Sequence, residues 1–102
     1  MLITAGSEAE ATKIARALVE QELVACVNIL PGIRSIFQWE GKIMEEQECL
    51  LIAKTVDKVF ERVVTEVKAL HSYSVPEVIA LPIQDGLPEY LSWIGDVTIQ
   101  AS

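Results

Sequence analysis

The sequence predicts an α+β sandwich of the ferredoxin-like type, with the element order βαββαβ followed by a short extra C-terminal helix and strand. Amphipathic helical patterns alternate with apolar, strand-like stretches along the chain. The pair Glu40-Gly41 interrupts the longest strand-like stretch, which therefore becomes a long central β-hairpin. No linker, repeat or low-complexity segment divides the 102 residues. We therefore expect a single domain over residues 1–102.

The first strand and helix occupy the N-terminal part of the chain. Residues 1–5 are apolar and predict a short strand. Ser7 and Glu10 form a capping box, in which the Ser7 hydroxyl accepts from the Glu10 amide and the Glu10 carboxylate reaches back. Apolar residues at helical spacing then predict a helix that ends near Glu22, with this buried face: Ala11, Ile14, Ala15 and Leu18.

The hairpin is unusually long. One arm begins in "LVACVNIL", meets a bulge or bend at Pro31-Gly32 and resumes to Trp39. The other runs from Lys42 to about Thr55. Each arm has about 14 residues, where strands usually have roughly 3–10. At about 3.3 Å per residue an arm measures roughly 45 Å, against a diameter of roughly 35 Å for a domain of this size. The hairpin is therefore predicted to overhang its own domain.

The outer half of the hairpin carries many apolar side chains, and an isolated two-stranded ribbon is marginally stable in water. These side chains are Ile33, Ile36, Phe37, Trp39, Ile43 and Met44. Further copies of the chain in a closed ring would cover them and leave no free sheet edge. A bend at Pro31-Gly32 that folds the ribbon back over its own sheet is the alternative. We expect oligomerisation.

The second half of the chain predicts a helix and an interrupted strand. An apolar stripe runs from Asp57 to Leu70 and contains Val59, Phe60, Val63, Val64 and Val67. "VPEVIALPI" predicts the fourth strand. Pro76 and Pro82 restrict this strand to a sheet edge or to pairing in its middle.

The C-terminal residues predict a short helix and a last strand. Pro88 suits the first turn of a helix because that position needs no N–H donor. Gly95 is expected to end the helix, and residues 97–100 are expected to form the strand.

Composition and charge exclude several classes of partner. The net charge is −7 and the longest charge runs are acidic, so nucleic acid is not an expected partner. No apolar run approaches the roughly 20 residues of a membrane span. No export leader is visible either, so we expect a cytoplasmic protein without a membrane partner.

Five segments resemble, in order, the signatures of the CutA divalent-cation-tolerance family. They are "ACVNILPG" (25–32), "SIFQWEGK" (35–42), Lys54-Thr55, "HSYSVPEVIALPI" (71–83) and "YLSW" (90–93). The resemblance implies a ferredoxin-like subunit in a tight homotrimer whose long hairpins reach onto neighbouring subunits. It also implies a role in copper tolerance, and some members are described as binding divalent copper.

Metal ligands are few. Cys26 and Cys49 lie about six residues apart along the ribbon, roughly 20 Å, which is too far for a shared metal or a disulfide. His71 follows the second helix, where an imidazolium would favour the helix dipole or the ring would ligate a metal. The resemblance implies a thiol and a second histidine where this chain has Ile3 and Leu70. We therefore expect, at most, weak binding of Cu²⁺ or another divalent cation at His71 near a subunit boundary.

Four further residues are candidates for a cleft or interface between subunits. Tyr73 and Glu77 offer a hydroxyl and a carboxylate to such a cleft, or else the tyrosine packs inside its own subunit and the carboxylate pairs with a cation. Trp39 and Trp93 are predicted as interface or core aromatics rather than as platforms for a ligand.

No catalytic constellation is visible, so we expect a non-catalytic protein. The chain has one histidine, no G-x-S-x-G, no phosphate-binding GxxxxGK and no GxGxxG. We expect a trimer associated with divalent-cation tolerance. The alternative is a small-molecule sensor or adaptor resembling the P-II-type signalling trimers, with ligands in the clefts between subunits.

Overall fold

A computed structural model describes residues 1–99 and confirms the predicted α+β fold class. The elements are β1 Leu2–Ala5, α1 Glu8–Glu20, β2 Cys26–Trp39, β3 Lys42–Lys54, a 3₁₀ turn Asp57–Val59, α2 Phe60–Leu70, β4 Val78–Ile79 and α3 Pro88–Val97. Within the described residues, no helix is long and apolar enough to cross a membrane.

The four strands form one antiparallel sheet in the order β2-β3-β1-β4. Helices α1 and α2 pack on one face of the sheet, and the core lies between them. Alternate residues of β3, namely Cys49, Leu51 and Ala53, face this core together with Ile14 and Leu18 of α1. Because successive strand residues point to opposite faces, Met44, Glu46 and Glu48 face away from the helices. The face without helices carries the groove described below.

The hairpin has the predicted length, turn and bulge. Its arms have 14 and 13 residues, and Trp39 pairs with Lys42 across the turn. Glu40 and Gly41 both have left-handed φ angles, 50° and 78°, as a two-residue type I′ turn requires. The register shifts between Leu30 and Ile33, where Gly32 also has a positive φ of 73°. Pro31-Gly32 is therefore a β-bulge, and the ladder continues on both sides of it.

The outer hairpin is not covered by the other residues that the structure describes. The described chain measures 44 × 27 × 23 Å, so one dimension far exceeds the others. Ile36, Trp39 and Ile43 near the tip are 64%, 49% and 74% exposed. The ribbon therefore does not fold back over its own sheet.

The C-terminal part differs from the prediction in two respects. β4 pairs only Val78 and Ile79 with β1, as the flanking prolines predict. Helix α3 begins at Pro88 but continues past Gly95 to Val97. The expected last strand is not present at residues 98–99. Ile99 donates one backbone hydrogen bond to the Glu22 carbonyl (2.7 Å) and does not pair with a strand of the sheet. The remaining residue of that predicted strand, Gln100, lies outside the described residues.

Candidate functional site

A groove of about 610 Å³ lies on the helix-free face of the sheet, between the outer hairpin and the segment that follows α2. We call it the hairpin groove. It is lined by Thr4, Ser35, Ile36, Phe37, Trp39, Met44, Glu46, Glu48, Tyr73, Ser74, Val75 and Glu77. Cross-strand pairing explains the hairpin's share of this lining, since Phe37 pairs with Met44 and Ser35 with Glu46. The groove brings together three residues that the sequence predicts for a cleft: Trp39, Tyr73 and Glu77.

Tyr73 closes the inner end of the groove. Its hydroxyl donates a 2.9 Å hydrogen bond to Oε2 of Glu48, a carboxylate that is only 8% exposed. Burial first, and then the hydrogen bond to Glu48, raise the pKa of Tyr73 to about 12. A Cβ on Gly6 would lie 3.0 Å from the Tyr73 hydroxyl oxygen, so a side chain at this position would require the hydroxyl to shift slightly.

His71 lies beside Tyr73, with ring centroids 4.7 Å apart, and its side chain is fully buried. It is the C-cap residue of α2, the position predicted from sequence. Nε2 is 2.7 Å from the Thr4 carbonyl oxygen, and Nδ1 is 3.0 Å from the Tyr73 amide nitrogen. A carbonyl can only accept and an amide N–H can only donate. Nε2–H therefore donates to Thr4, and Nδ1 accepts from Tyr73.

Glu10 connects α1 to the same segment. Its carboxylate accepts from the Ser72 amide (2.6 Å) and from the Ser72 hydroxyl (2.9 Å), and one oxygen is 3.3 Å from His71 Nδ1. The Ser7 hydroxyl accepts from the Glu10 amide at 3.2 Å, as predicted. The predicted return contact from the Glu10 carboxylate to the start of the helix is wrong, because Ser72 engages both carboxylate oxygens.

Trp93 lies apart from the groove. It is on α3, where its ring is 5.5 Å from that of Tyr90, centroid to centroid. The Tyr90 hydroxyl is 3.6 Å from Cys26 Sγ. Trp93 is 40% exposed on the surface of α3.

Of the twelve residues that line the groove, the sequence predicted three as cleft residues and missed nine, among them Glu48 and Phe37. Glu48 stands at the end of an acidic run that is typical of a solvated surface, and Phe37 was assigned only to the overhang. The period-two alternation of β3 is the signal that places Glu48 on the same face as Met44.

The described residues contain no cluster of three or more His, Cys, Asp or Glu side chains that could hold a metal ion. Both nitrogens of His71 already have hydrogen-bond partners within the subunit. Cys26 and Cys49 are both free thiols. The described residues of a single chain therefore do not supply the three or four ligands of a tight transition-metal site.

The four-stranded antiparallel sheet with two helices on one face defines the chain as a ferredoxin-like α+β domain with an extended hairpin. A family model described as CutA1 divalent ion tolerance protein matches residues 1–97. The chain belongs to this family. The family's name denotes tolerance to divalent ions and does not name a reaction.

Relatives agree with this assignment. The chain is 52% identical over 98 residues to the divalent-cation tolerance protein CutA of Thermus thermophilus, covering 96% of this chain and 95% of the relative. The solved Thermus structure superposes with a TM-score of 0.93, covering 95% and 94% of the two chains. CutA1 from Oryza sativa superposes with a TM-score of 0.95 at 41% identity, covering 98% and 92%.

Other relatives are longer or are named for other compartments. The chain spans 56% of the mouse protein CutA, 63% of the Xenopus laevis homologue and 53% of the Arabidopsis thaliana protein. The Archaeoglobus fulgidus structure is described as periplasmic and the Arabidopsis relative as chloroplastic. The cytoplasmic location of this chain stays a prediction.

Proposed function

We propose that this protein is a non-catalytic homotrimer that acts in divalent-cation tolerance and binds Cu²⁺ or another divalent cation weakly. The family match over residues 1–97 is the observation that carries the cation role. The number of subunits comes from the family resemblance, and the need for assembly comes from the exposed apolar surface.

Two separate apolar surfaces support assembly. The first is the outer hairpin, with Ile36, Trp39 and Ile43 exposed. The second is the segment after β4, where Leu81, Ile83 and Leu87 are 61%, 52% and 65% exposed. Exposed apolar area of this extent marks an interaction surface. Two different surfaces suit a head-to-tail contact, which forms a ring when the rotation between copies closes.

Weak cation binding is consistent with the charge of the chain and with its few ligands. The net charge of −7 attracts cations in general. Because one subunit lacks three converging donors among its described residues, the proposed binding depends on assembly, with His71 and Glu77 as the candidate ligands of each subunit.

Sedimentation tests the assembly. We expect a particle of about 34 kDa, three copies of the 11.3 kDa chain, at low micromolar concentration. A folded 11.3 kDa particle under those conditions would contradict the proposal.

Calorimetry with CuCl₂ tests the cation role. We expect binding with a dissociation constant of about 10 µM or weaker, reduced by His71→Ala and by Glu77→Gln. Because His71 is buried, circular dichroism must accompany its replacement, whereas Glu77 is exposed and its replacement is not expected to affect folding. Glu45→Gln is the matched control, since Glu45 is exposed, pairs with Arg34 and lies outside the groove. The absence of copper heat in the wild type would reject the role.

The hairpin groove favours a second candidate function, sensing of a small molecule. Its volume of about 610 Å³ falls in the range of roughly 300–1,000 Å³ found for small-molecule sites. No Lys or Arg lines it, so a nucleotide is not the expected ligand. Calorimetry with ATP on the same sample tests this, and nucleotide heat unaffected by His71→Ala would favour a P-II-like role.

A further inference from the structure

We infer that Glu10 is the second ligand that this chain supplies to a divalent cation, beside His71. The inference rests on the proposed function, in which His71 binds such a cation weakly, and it names a carboxylate that the sequence indicated only for capping. The hairpin groove is not involved, because neither Glu10 nor His71 is among the residues that line it.

The first step is the contact between the two side chains. Nδ1 of His71 accepts from the Tyr73 amide, so this nitrogen carries a lone pair and no proton. Oε1 of Glu10 lies 3.3 Å from the same nitrogen. A carboxylate oxygen is an acceptor as well. Two acceptors therefore lie side by side with no hydrogen between them, and a cation bound by both would relieve their repulsion.

The second step is the spacing of the two atoms. Zinc, as a representative divalent metal, binds a histidine nitrogen at about 2.0–2.1 Å and a carboxylate oxygen at about 2.0–2.2 Å. Two such ligands that subtend an angle of about 90–110° at the metal are therefore about 2.8–3.5 Å apart. The observed distance of 3.3 Å between Nδ1 and Oε1 falls in this range. A nitrogen and an oxygen ligand together also suit Cu²⁺.

The third step is the charge of Glu10. Its side chain is only 15% exposed, and its hydrogen-bond donors, the Ser72 amide and hydroxyl, are both neutral. The ion pairs of Arg16 and Arg34 engage other carboxylates. Within the described part of the chain, His71 is therefore the ionisable partner of Glu10. Because withdrawing a carboxylate from water without a cation is costly, a bound divalent cation would supply the missing positive charge.

The fourth step is access and strength. Ser72 is exposed and Glu10 is partly exposed, whereas the His71 side chain is fully buried, so a cation would enter from the Glu10 side. Two protein donors leave the other coordination positions to water. A tight transition-metal site needs three or four protein ligands, so two donors agree with weak binding.

Calorimetry with CuCl₂ on the assembled protein provides the first experiment. We expect Glu10→Gln, which keeps the shape of the side chain, to weaken copper binding by about tenfold or more. Glu8→Gln is the matched control, because Glu8 lies in the same first turn of α1, is exposed and carries the same charge. The control should change the affinity by less than about twofold, since exposed charges are screened by salt. Unchanged copper affinity in a folded Glu10→Gln would overturn the inference.

Ser72→Ala separates a ligand from a structural contact. It removes the hydroxyl that donates to Glu10 and leaves the carboxylate and the imidazole in place. If Glu10 binds the metal, Ser72→Ala should keep a copper affinity close to that of the wild type. If Glu10 only anchors the segment after α2, Ser72→Ala and Glu10→Gln should weaken copper binding equally, and that result would reject Glu10 as a ligand.

A crystal structure of the wild-type assembly soaked in CuCl₂ decides the question even if Glu10→Gln does not fold. We expect copper within about 2.2 Å of both His71 Nδ1 and a carboxylate oxygen of Glu10. Copper bound without Glu10 would overturn the inference and leave the proposed function in place. A wild type that binds no copper in calorimetry would reject the proposed cation role and the inference together.

Discussion

Tyr73→Phe removes one hydroxyl and tests how the buried Glu48 carboxylate is held. The hydroxyl donates at 2.9 Å to a carboxylate that is 8% exposed. A hydrogen bond to a charged group contributes about 1.5–3 kcal/mol, and a buried acceptor that loses its donor falls in the upper part of that range. We therefore expect the free energy of unfolding at pH 7 to fall by about 2–3 kcal/mol. Phenylalanine keeps the ring, so no cavity adds to this loss.

The pH dependence of stability provides a second measure of the same contact. The pKa of Tyr73 is raised to about 12, from an ordinary value of 10.0 that applies to the unfolded chain. Between these pH values the unfolded chain loses the phenolic proton while the folded chain retains it. The contribution of the protonated phenol is therefore complete below pH 10 and declines progressively toward pH 12. The wild type should lose stability more steeply than Tyr73→Phe across this window.

Urea unfolding at one fixed protein concentration, at pH 7, 10 and 11, measures both effects. Tyr90→Phe is the control, because its hydroxyl makes only a 3.6 Å contact with Cys26 Sγ on an exposed surface. The reasoning is refuted if Tyr73→Phe is as stable as the wild type at pH 7. It is also refuted if the two proteins lose stability in parallel between pH 10 and 11.

Three further predictions concern assembly, capping and the turn. Trp39→Ala should raise the dissociation constant of the assembly at least tenfold in sedimentation, because the interface loses the apolar area of a half-exposed tryptophan of the outer hairpin. Unchanged assembly would contradict the place of Trp39 at an interface. Ser7→Ala should lower the free energy of unfolding by about 1 kcal/mol in urea, since the Glu10 amide loses its acceptor. Gly41→Ala should lower it by about 1–2 kcal/mol, because φ is +78° at this position, and an unchanged midpoint would refute the left-handed turn.

The fold was largely predictable because its signals are local. The two-residue turn at Glu40-Gly41 sets the register of the hairpin. Pro31-Gly32 indicates a bulge from the local sequence alone, without knowledge of the partner strand. The last strand could not be predicted reliably. Its formation depends on whether a partner edge is within reach, and Ile99 bonds to a loop carbonyl instead.

The site was only partly predictable because its contacts are remote in sequence. The "HSYSVPE" stretch indicated Tyr73 and Glu77, and the long hairpin indicated Trp39; the three residues line one groove, and their place in a cleft between subunits stays a prediction. Nothing in a local pattern shows that Glu10 bonds Ser72, 62 residues away. Composition likewise treats Glu48 as one more acidic surface residue, whereas Tyr73 and the sheet bury it.

The hydrogen bonds of His71 couple metal binding at its imidazole to the position of Tyr73. A metal needs a lone pair, and the one available on this imidazole is on Nδ1, which accepts from the Tyr73 amide. Copper at Nδ1 would release that amide and loosen the residue whose hydroxyl holds Glu48. If copper binds through His71, saturating CuCl₂ should therefore weaken the hydrogen bond from Tyr73 to Glu48, so that the wild type and Tyr73→Phe differ less in unfolding free energy with CuCl₂ than without it. A stability difference between the two proteins that CuCl₂ leaves unchanged would assign the copper to ligands other than His71.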